Sequence, residues 1–166
     1  TSFHNDDDER LDAAERLVAY EPYSEHGAHG LRLAPDGDLY LVQGNFASGP
    51  LQVEGRPPLE LDLTPTAHVR EDVLLPRLWD PRGHAKGVLA PGGELWRCDP
   101  DGLRWTRVSV GMRNAYDIAV SRAGAIFTYD SDMEWDHGTP WYRLPAVYHL
   151  VSGADSVALG LGQVAA

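Results

Sequence analysis

The chain has 166 residues, which is enough for one domain with a sizeable core. Its formal charge of -11 and its single lysine, Lys86, exclude the clustered basic surface that nucleic acid or an anionic membrane requires. Its 17 glycines, 12 prolines and five tryptophans indicate strands and turns, and no apolar run approaches the roughly 20 residues of a membrane span.

Cys98 is the only cysteine of the chain. A single cysteine excludes an internal disulfide, a zinc site built on several cysteines and a C-x-x-C-H haem attachment, so no haem is expected in this chain. We predict that Cys98 is a small buried residue of a strand.

Three hairpins are predicted in chain order after an acidic, non-periodic start over residues 1–10. The segment LRLAPDGDLYLVQGN predicts two strands joined by a turn at residues 34–37. ELWRCDPDGLRWTRVSV predicts a second pair with its turn at residues 99–102, and YDIAVSRAGAIFTYD predicts a third with Gly124 at the turn. Residues 48–92 are rich in proline and predict edge strands and loops.

The recurrence of these hairpins indicates a weak internal repeat of the kind found in propeller blades. We count ten to twelve candidate strands, enough for about three four-stranded blades, whereas a closed propeller needs at least four. The predicted fold is therefore all-β, a partial β-propeller over residues 1–155, and the chain is expected to be a fragment.

The segment GMRNAYDIAVSRAGAIFTYDSDMEWDHG ends in alternating carboxylates at Asp130, Asp132, Glu134 and Asp136. In extended chain all four would share one face, where water, a cation or a basic side chain such as Arg113 must offset their charge. The stretch is either a calcium-related polar site or a solvated, arginine-paired rim. An EF-hand is excluded because Trp135 stands where that loop needs glycine.

His26 and His29 lie three residues apart in EHGAHG, just before a predicted strand. Imidazole near neutral pH serves as a general base or a metal ligand, and the alternative is two surface or turn histidines. Asn45, at the far end of the next strand, is placed to orient one of them, or is an ordinary turn asparagine. His84 is predicted to reach a surface or cleft together with Lys86.

The strings SEHGAH, PDGDLY, GMRNAYD and YDSDMEWDHGTPWYR carry a resemblance that covers residues 15–155. The chain resembles the soluble quinoprotein glucose and aldose sugar dehydrogenases. It is more similar still to large bacterial propeller proteins described as membrane-bound dehydrogenases. The last two strings are the specific ones, because PDG turns alone are common.

This resemblance implies a six-bladed propeller that binds pyrroloquinoline quinone (PQQ) and calcium, is exported to the periplasm, and oxidises a sugar or alcohol by hydride transfer to the quinone. It implies a cytochrome or a separate haem domain as electron acceptor. His26 falls at the catalytic base, and Asn45 replaces the aspartate that orients that base. Arg113 and Asn114 match a pair that contacts the quinone. Asp130 and Asp132 match the region beside the calcium and cofactor.

Residues 156–166, SVALGLGQVAA, depart from the pattern of the resembling proteins. We expect a frameshifted or truncated tail there, and little or no activity from the chain alone. The alternative function is a non-catalytic propeller that binds carbohydrate or a protein partner, with His26 purely structural. A third reading is a set of blades that serves as scaffold for a haem domain.

Overall fold

The computed structural model describes residues 2–4, 13–20, 25–69, 91–131, 133–134 and 142–156. This part of the chain is all-β, as predicted, apart from one 3-10 turn at Thr64–Thr66. None of its helical segments has the length and apolarity to cross a membrane. The strands are β1 (Ser2–His4), β2 (Ala13–Glu15), β3 (Ala28–Leu33), β4 (Leu39–Gln43), β5 (Glu60–Asp62), β6 (Gly93–Cys98), β7 (Arg104–Met112), β8 (Ile118–Val120), β9 (Ile126–Asp130), β10 (Met133–Glu134), β11 (Tyr142–Arg143) and β12 (Ala146–Leu150).

The three predicted hairpins are present as β3–β4, β6–β7 and β8–β9. Each turn closes with a backbone hydrogen bond of 3.0 Å, donated by Gly37, Gly102 or Gly124. These glycines have φ values of 90°, 71° and 83°, a backbone region that residues with a side chain adopt only at a cost. The predicted turns are therefore confirmed.

The largest sheet has five strands in the order β3-β4-β6-β7-β5. Its first four strands are antiparallel, and β5 adds to the edge in parallel with β7. The first two hairpins thus share one sheet, because β4 pairs with β6 from Leu39↔Cys98 to Gln43↔Glu94. From the sequence we interpreted these hairpins as successive repeats. The pairing of β4 with β6 shows that the two hairpins form one sheet.

A three-stranded sheet follows in the order β12-β9-β8, and two further pairs, β1-β2 and β10-β11, complete the described strands. Along β9 the side chains alternate between buried and exposed. Asp130 therefore lies on the buried face with Ile126 and Thr128, and Phe127 and Tyr129 face outward. The described strands do not close into a barrel.

The main core lies between the two larger sheets. It combines buried residues of the first sheet, such as Val42, Leu95 and Met112, with Ile118 and Ile126 of the second. The two sheets approach closely at Gly30 of β3, where a Cβ atom would lie 2.6 Å from Asp117 Oδ1. Glycine is needed at this position because a side chain would separate the sheets.

A smaller core cluster contains Trp96, Cys98 and Trp105. Cys98 is fully buried, which confirms its predicted position inside a strand. Burial raises the pKa of its thiol to about 12, so Cys98 is neutral at physiological pH.

Candidate functional site

His26 lies immediately before β3 and is buried, with 3% of its surface exposed. Its Nδ1 is 2.6 Å from Asn45 Oδ1, and its ring stacks on Phe46 at a centroid distance of 4.4 Å. An amide oxygen only accepts hydrogen bonds, so this contact requires the proton on Nδ1 and places the lone pair of the neutral ring on Nε2. Asn45 thereby fixes both the tautomer and the orientation of His26.

The backbone after β4 explains this contact. Gly44 donates its N–H to the Gly27 carbonyl at 2.8 Å, and Phe46 donates to the His26 carbonyl at 3.2 Å. A Cβ atom on Gly44 would lie 2.7 Å from His26 O and 2.8 Å from Asn114 Oδ1. Gly44 is therefore the position at which three segments of the chain meet.

Arg113 and Asn114 lie in the connection between β7 and β8 and contact the residues around His26. The Asn45 N–H donates to the Arg113 carbonyl at 2.8 Å. Asn114 Oδ1 is 2.8 Å from His29 Nε2. The structure thus brings His26, Asn45, Arg113 and Asn114 together, although the sequence separates the first pair from the second by a whole hairpin and a long connection.

Asp130 anchors this arrangement from the end of β9. Its side chain is 1% exposed, and its Oδ2 accepts a hydrogen bond from the Arg113 N–H at 2.8 Å. Its Oδ1 accepts from the N–H groups of Asn114 and Ser131 at 2.8 and 2.9 Å. Three backbone amides therefore offset the charge of this carboxylate, whereas the Arg113 guanidinium donates to Ser131 Oγ at 3.1 Å.

The other predicted metal residue, Asp132, lies outside the described residues, as do His84, Lys86 and Asp136. Across the ranges the structure describes, His, Cys, Asp and Glu side chains do not assemble into a group of three or more that could hold a metal ion. In the described part of this site, Asp130 is therefore a backbone anchor.

An open cleft of about 380 Å³ lies beside His29. It is lined by residues 28–32 of β3 together with Tyr116 and Asp117. The Tyr116 ring is 5.1 Å from the His29 ring, and Asp117 forms an ion pair with Arg32. Sequence reasoning did not single out Tyr116 or Asp117, although both belong to the string GMRNAYD that carried the resemblance.

A second polar cluster surrounds Glu94, which is 5% exposed. Its Oε2 accepts hydrogen bonds from Gln43 Nε2 and Trp96 Nε1, both at 2.8 Å, and its Oε1 accepts from the Arg107 guanidinium at 2.9 Å. Burial raises the pKa of Glu94, and the Trp96 and Arg107 hydrogen bonds partly oppose that rise. The sequence signal for this cluster is a glutamate next to the apolar Leu95 and Trp96 in GGELW, and it was not recognised.

No protein family, curated protein or solved structure matches this chain.

Proposed function

We propose that the chain is part of a six-bladed β-propeller of the quinoprotein sugar dehydrogenase type. The intact protein would oxidise a sugar or another alcohol. The observation that carries this proposal is the convergence of His26, Asn45, Arg113, Asn114 and Asp130 through direct hydrogen bonds. A buried polar network whose members satisfy one another holds its side chains in one defined arrangement, which a catalytic site requires.

The sheet order supports the propeller. Strands β3-β4-β6-β7 form one antiparallel meander, and β8-β9-β12 form the next. The first strands of the two meanders approach each other where Gly30 meets Asp117. Neighbouring propeller blades are arranged in this way around a central channel, and about three blades are proposed for this chain.

In this proposal His26 is the general base. Its Nε2 takes the proton of the substrate hydroxyl, while Asn45 holds the proton on Nδ1. An amide orients the ring as an aspartate would, but it carries no charge to stabilise the imidazolium that forms. Proton abstraction by His26 is therefore expected to be slow.

Arg113 is the residue that fits an anionic quinone cofactor. Its backbone is held by Asp130 and its guanidinium by Ser131, so a planar cation is presented in a defined position. PQQ, when bound, would accept the hydride from the alcohol carbon. In the described residues the fit for calcium is limited to Asp130 Oδ2, which accepts a single hydrogen bond and keeps a second lone pair.

The test uses the full-length parent protein with PQQ and calcium added, and follows the reduction of an electron-accepting dye. We expect His26→Ala to lower the rate about 100-fold or more. Asn45→Asp should raise it, because a carboxylate stabilises the imidazolium. His149→Ala, at an exposed histidine of β12, is the matched control and should not change the rate. Dye reduction that survives His26→Ala would exclude His26 as the base.

The second candidate is a propeller that binds carbohydrate or a protein partner without catalysis. It is favoured by the burial of His26 against Phe46, which resembles a packed structural histidine. The same experiment separates the two functions, because a binding module would not reduce the dye in any variant, with or without PQQ. Export to the periplasm and electron transfer to a cytochrome or haem domain belong to the first candidate only.

A further inference from the structure

A second cleft, of about 330 Å³, lies where β4 ends and β6 begins. Its lining includes Asn45, Ser48 and Gly49, which follow β4, together with Glu94 of β6 and Arg107 of β7. Its volume is at the lower end of the range of about 300–1,000 Å³ that is typical of small-molecule sites. The proposed dehydrogenase chemistry uses none of these residues except Asn45.

The polar wall of this cleft consists of Glu94 and Arg107, which are held by hydrogen bonds and neutralise each other's charge. Glu94 and Arg107 are joined at 2.9 Å, and Arg107 Nε also donates to Thr66 Oγ1 at 2.7 Å. The side chains of this ion pair are 7% and 13% exposed, so their charges offset each other inside the wall. A charged ligand would have to disturb this balance, whereas a neutral ligand with hydroxyl groups would not.

One oxygen of the polar wall, Glu94 Oε1, can accept a further hydrogen bond beyond the one it receives from the described residues. Gln43 is fully buried behind Glu94 and does not line the cleft, and it fixes the carboxylate by donating to Glu94 Oε2 at 2.8 Å. Among the described residues, Glu94 Oε1 accepts one hydrogen bond, from Arg107, and a carboxylate oxygen can accept two. A ligand hydroxyl in the cleft can therefore donate to Glu94 Oε1 without displacing Arg107.

The rest of the cleft is apolar and accessible. Leu61 and Leu63 are 48% and 42% exposed at its rim, beside Pro50 and Pro91. A Cβ atom on Gly49 would lie 3.4 Å from the Trp96 ring and 3.9 Å from Glu94 Oε2, so a side chain at this position would cover the polar wall. Apolar rims over a few fixed polar groups are typical of sites for small ligands.

We propose that this cleft binds a neutral polyhydroxylated molecule, such as one sugar unit, through the Glu94–Arg107 wall. Binding at this cleft requires no quinone, so it can be measured with no cofactor added. Asn45 lines the cleft and also contacts His26, so a ligand held here lies next to the first site.

The experiment titrates the full chain with four probes, D-glucose, xylitol, D-gluconate and D-glucosamine, and follows amide chemical shifts by NMR. We expect saturable binding of the two neutral probes, with shifts at the Glu94 and Gly49 amides. The two charged probes should bind at least tenfold more weakly. Absence of saturable binding for all four probes, or equal affinity for neutral and charged probes, would overturn the proposal.

Two variants and two controls complete the test. Ser48→Trp fills the cleft from an exposed position and should abolish binding without loss of folding. Glu94→Gln leaves Arg107 without its counter-charge, so the preference should shift towards D-gluconate. Glu60→Gln, in the exposed Glu60–Arg104 pair, and His149→Ala, at an exposed position of β12, should bind as the wild type does. Binding that persists in Ser48→Trp would show that the ligand is elsewhere.

Discussion

The Asp130 carboxylate accepts a hydrogen bond from the backbone N–H of Arg113 at 2.8 Å, which ties the end of β9 to the connection that follows β7. The same carboxylate binds the N–H of Asn114. Asp130 thus orders the backbone from which Arg113 and Asn114 project. An acidic residue that sequence reasoning assigned to calcium or to a solvated rim determines, in the described structure, where Arg113 and Asn114 lie.

Asp130→Asn is expected to destabilise the protein, because the amide nitrogen cannot accept from the N–H group that faces it. Hydrogen bonds to a buried charged group contribute about 1.5–3 kcal/mol, so the free energy of unfolding should fall by about that amount in urea denaturation. Asp101→Asn, at an exposed turn position, is the control and should stay within about 0.5 kcal/mol of the wild type. Equal stability of the two variants would mean that Asp130 is not an anchor.

Gly44→Ala is expected to disrupt the contact between His26 and Asn45. The added methyl group would lie within 2.8 Å of both His26 and Asn114, and overpacking of this kind costs about 1–3 kcal/mol. The comparison is Gly124→Ala, where φ is +83° but nothing lies within 4 Å, so only a backbone cost of about 1 kcal/mol is expected. Thermal unfolding should rank Gly44→Ala as the less stable variant. The reverse order would contradict the close approach at Gly44.

Arg107→Met removes the partner of a buried carboxylate and should cost about 3–5 kcal/mol at pH 7. The exposed Arg104→Met, which breaks the pair with Glu60, should cost no more than about 1 kcal/mol.

The cost of Arg107→Met should depend on pH. Burial already raises the pKa of Glu94 above its ordinary value of 4.5, and loss of Arg107 raises it further. The folded state then binds a proton that the unfolded state releases, so the variant gains stability relative to the wild type as the pH falls towards 4.5. Urea denaturation at pH 7 and pH 5 measures this change. A cost that does not depend on pH would show that Glu94 is not the group left unpaired.

Cys98 should contribute to loss of stability at alkaline pH. Its thiol has a pKa of about 12 in the folded state and ionises near 9.0 when unfolded. Between these values the unfolded state releases the proton first, so stability falls as pH rises, by up to about 1.4 kcal/mol per pH unit. Cys98→Ala lacks this contribution, and its unfolding free energy should fall less steeply from pH 9 to 11. Parallel curves for the two proteins would contradict the assignment to the thiol.

The alternation of apolar and polar residues and the placement of Pro35, Gly37, Gly102 and Gly124 determined the all-β class and the three hairpins. These are local properties, because a turn fixes the pairing of the two strands beside it. The contact between His26 and Asn45 could also be predicted from the sequence, because both residues flank the open end of one hairpin.

Only the tertiary structure decided which hairpins share a sheet and which polar residues meet. The pairing of β4 with β6 joins strands that are separated by a long connection. The two-residue alternation of a strand predicts which face is buried, but it does not predict which strand lies beside it. Asp130 could therefore be placed on a face from the sequence, but its contacts with Arg113 and Asn114 could not. Glu94 and Arg107 lie on the two strands of the β6–β7 hairpin, so their proximity is a local property. The non-local pairing of β4 with β6 adds Gln43, which donates to Glu94 at 2.8 Å and completes the buried cluster.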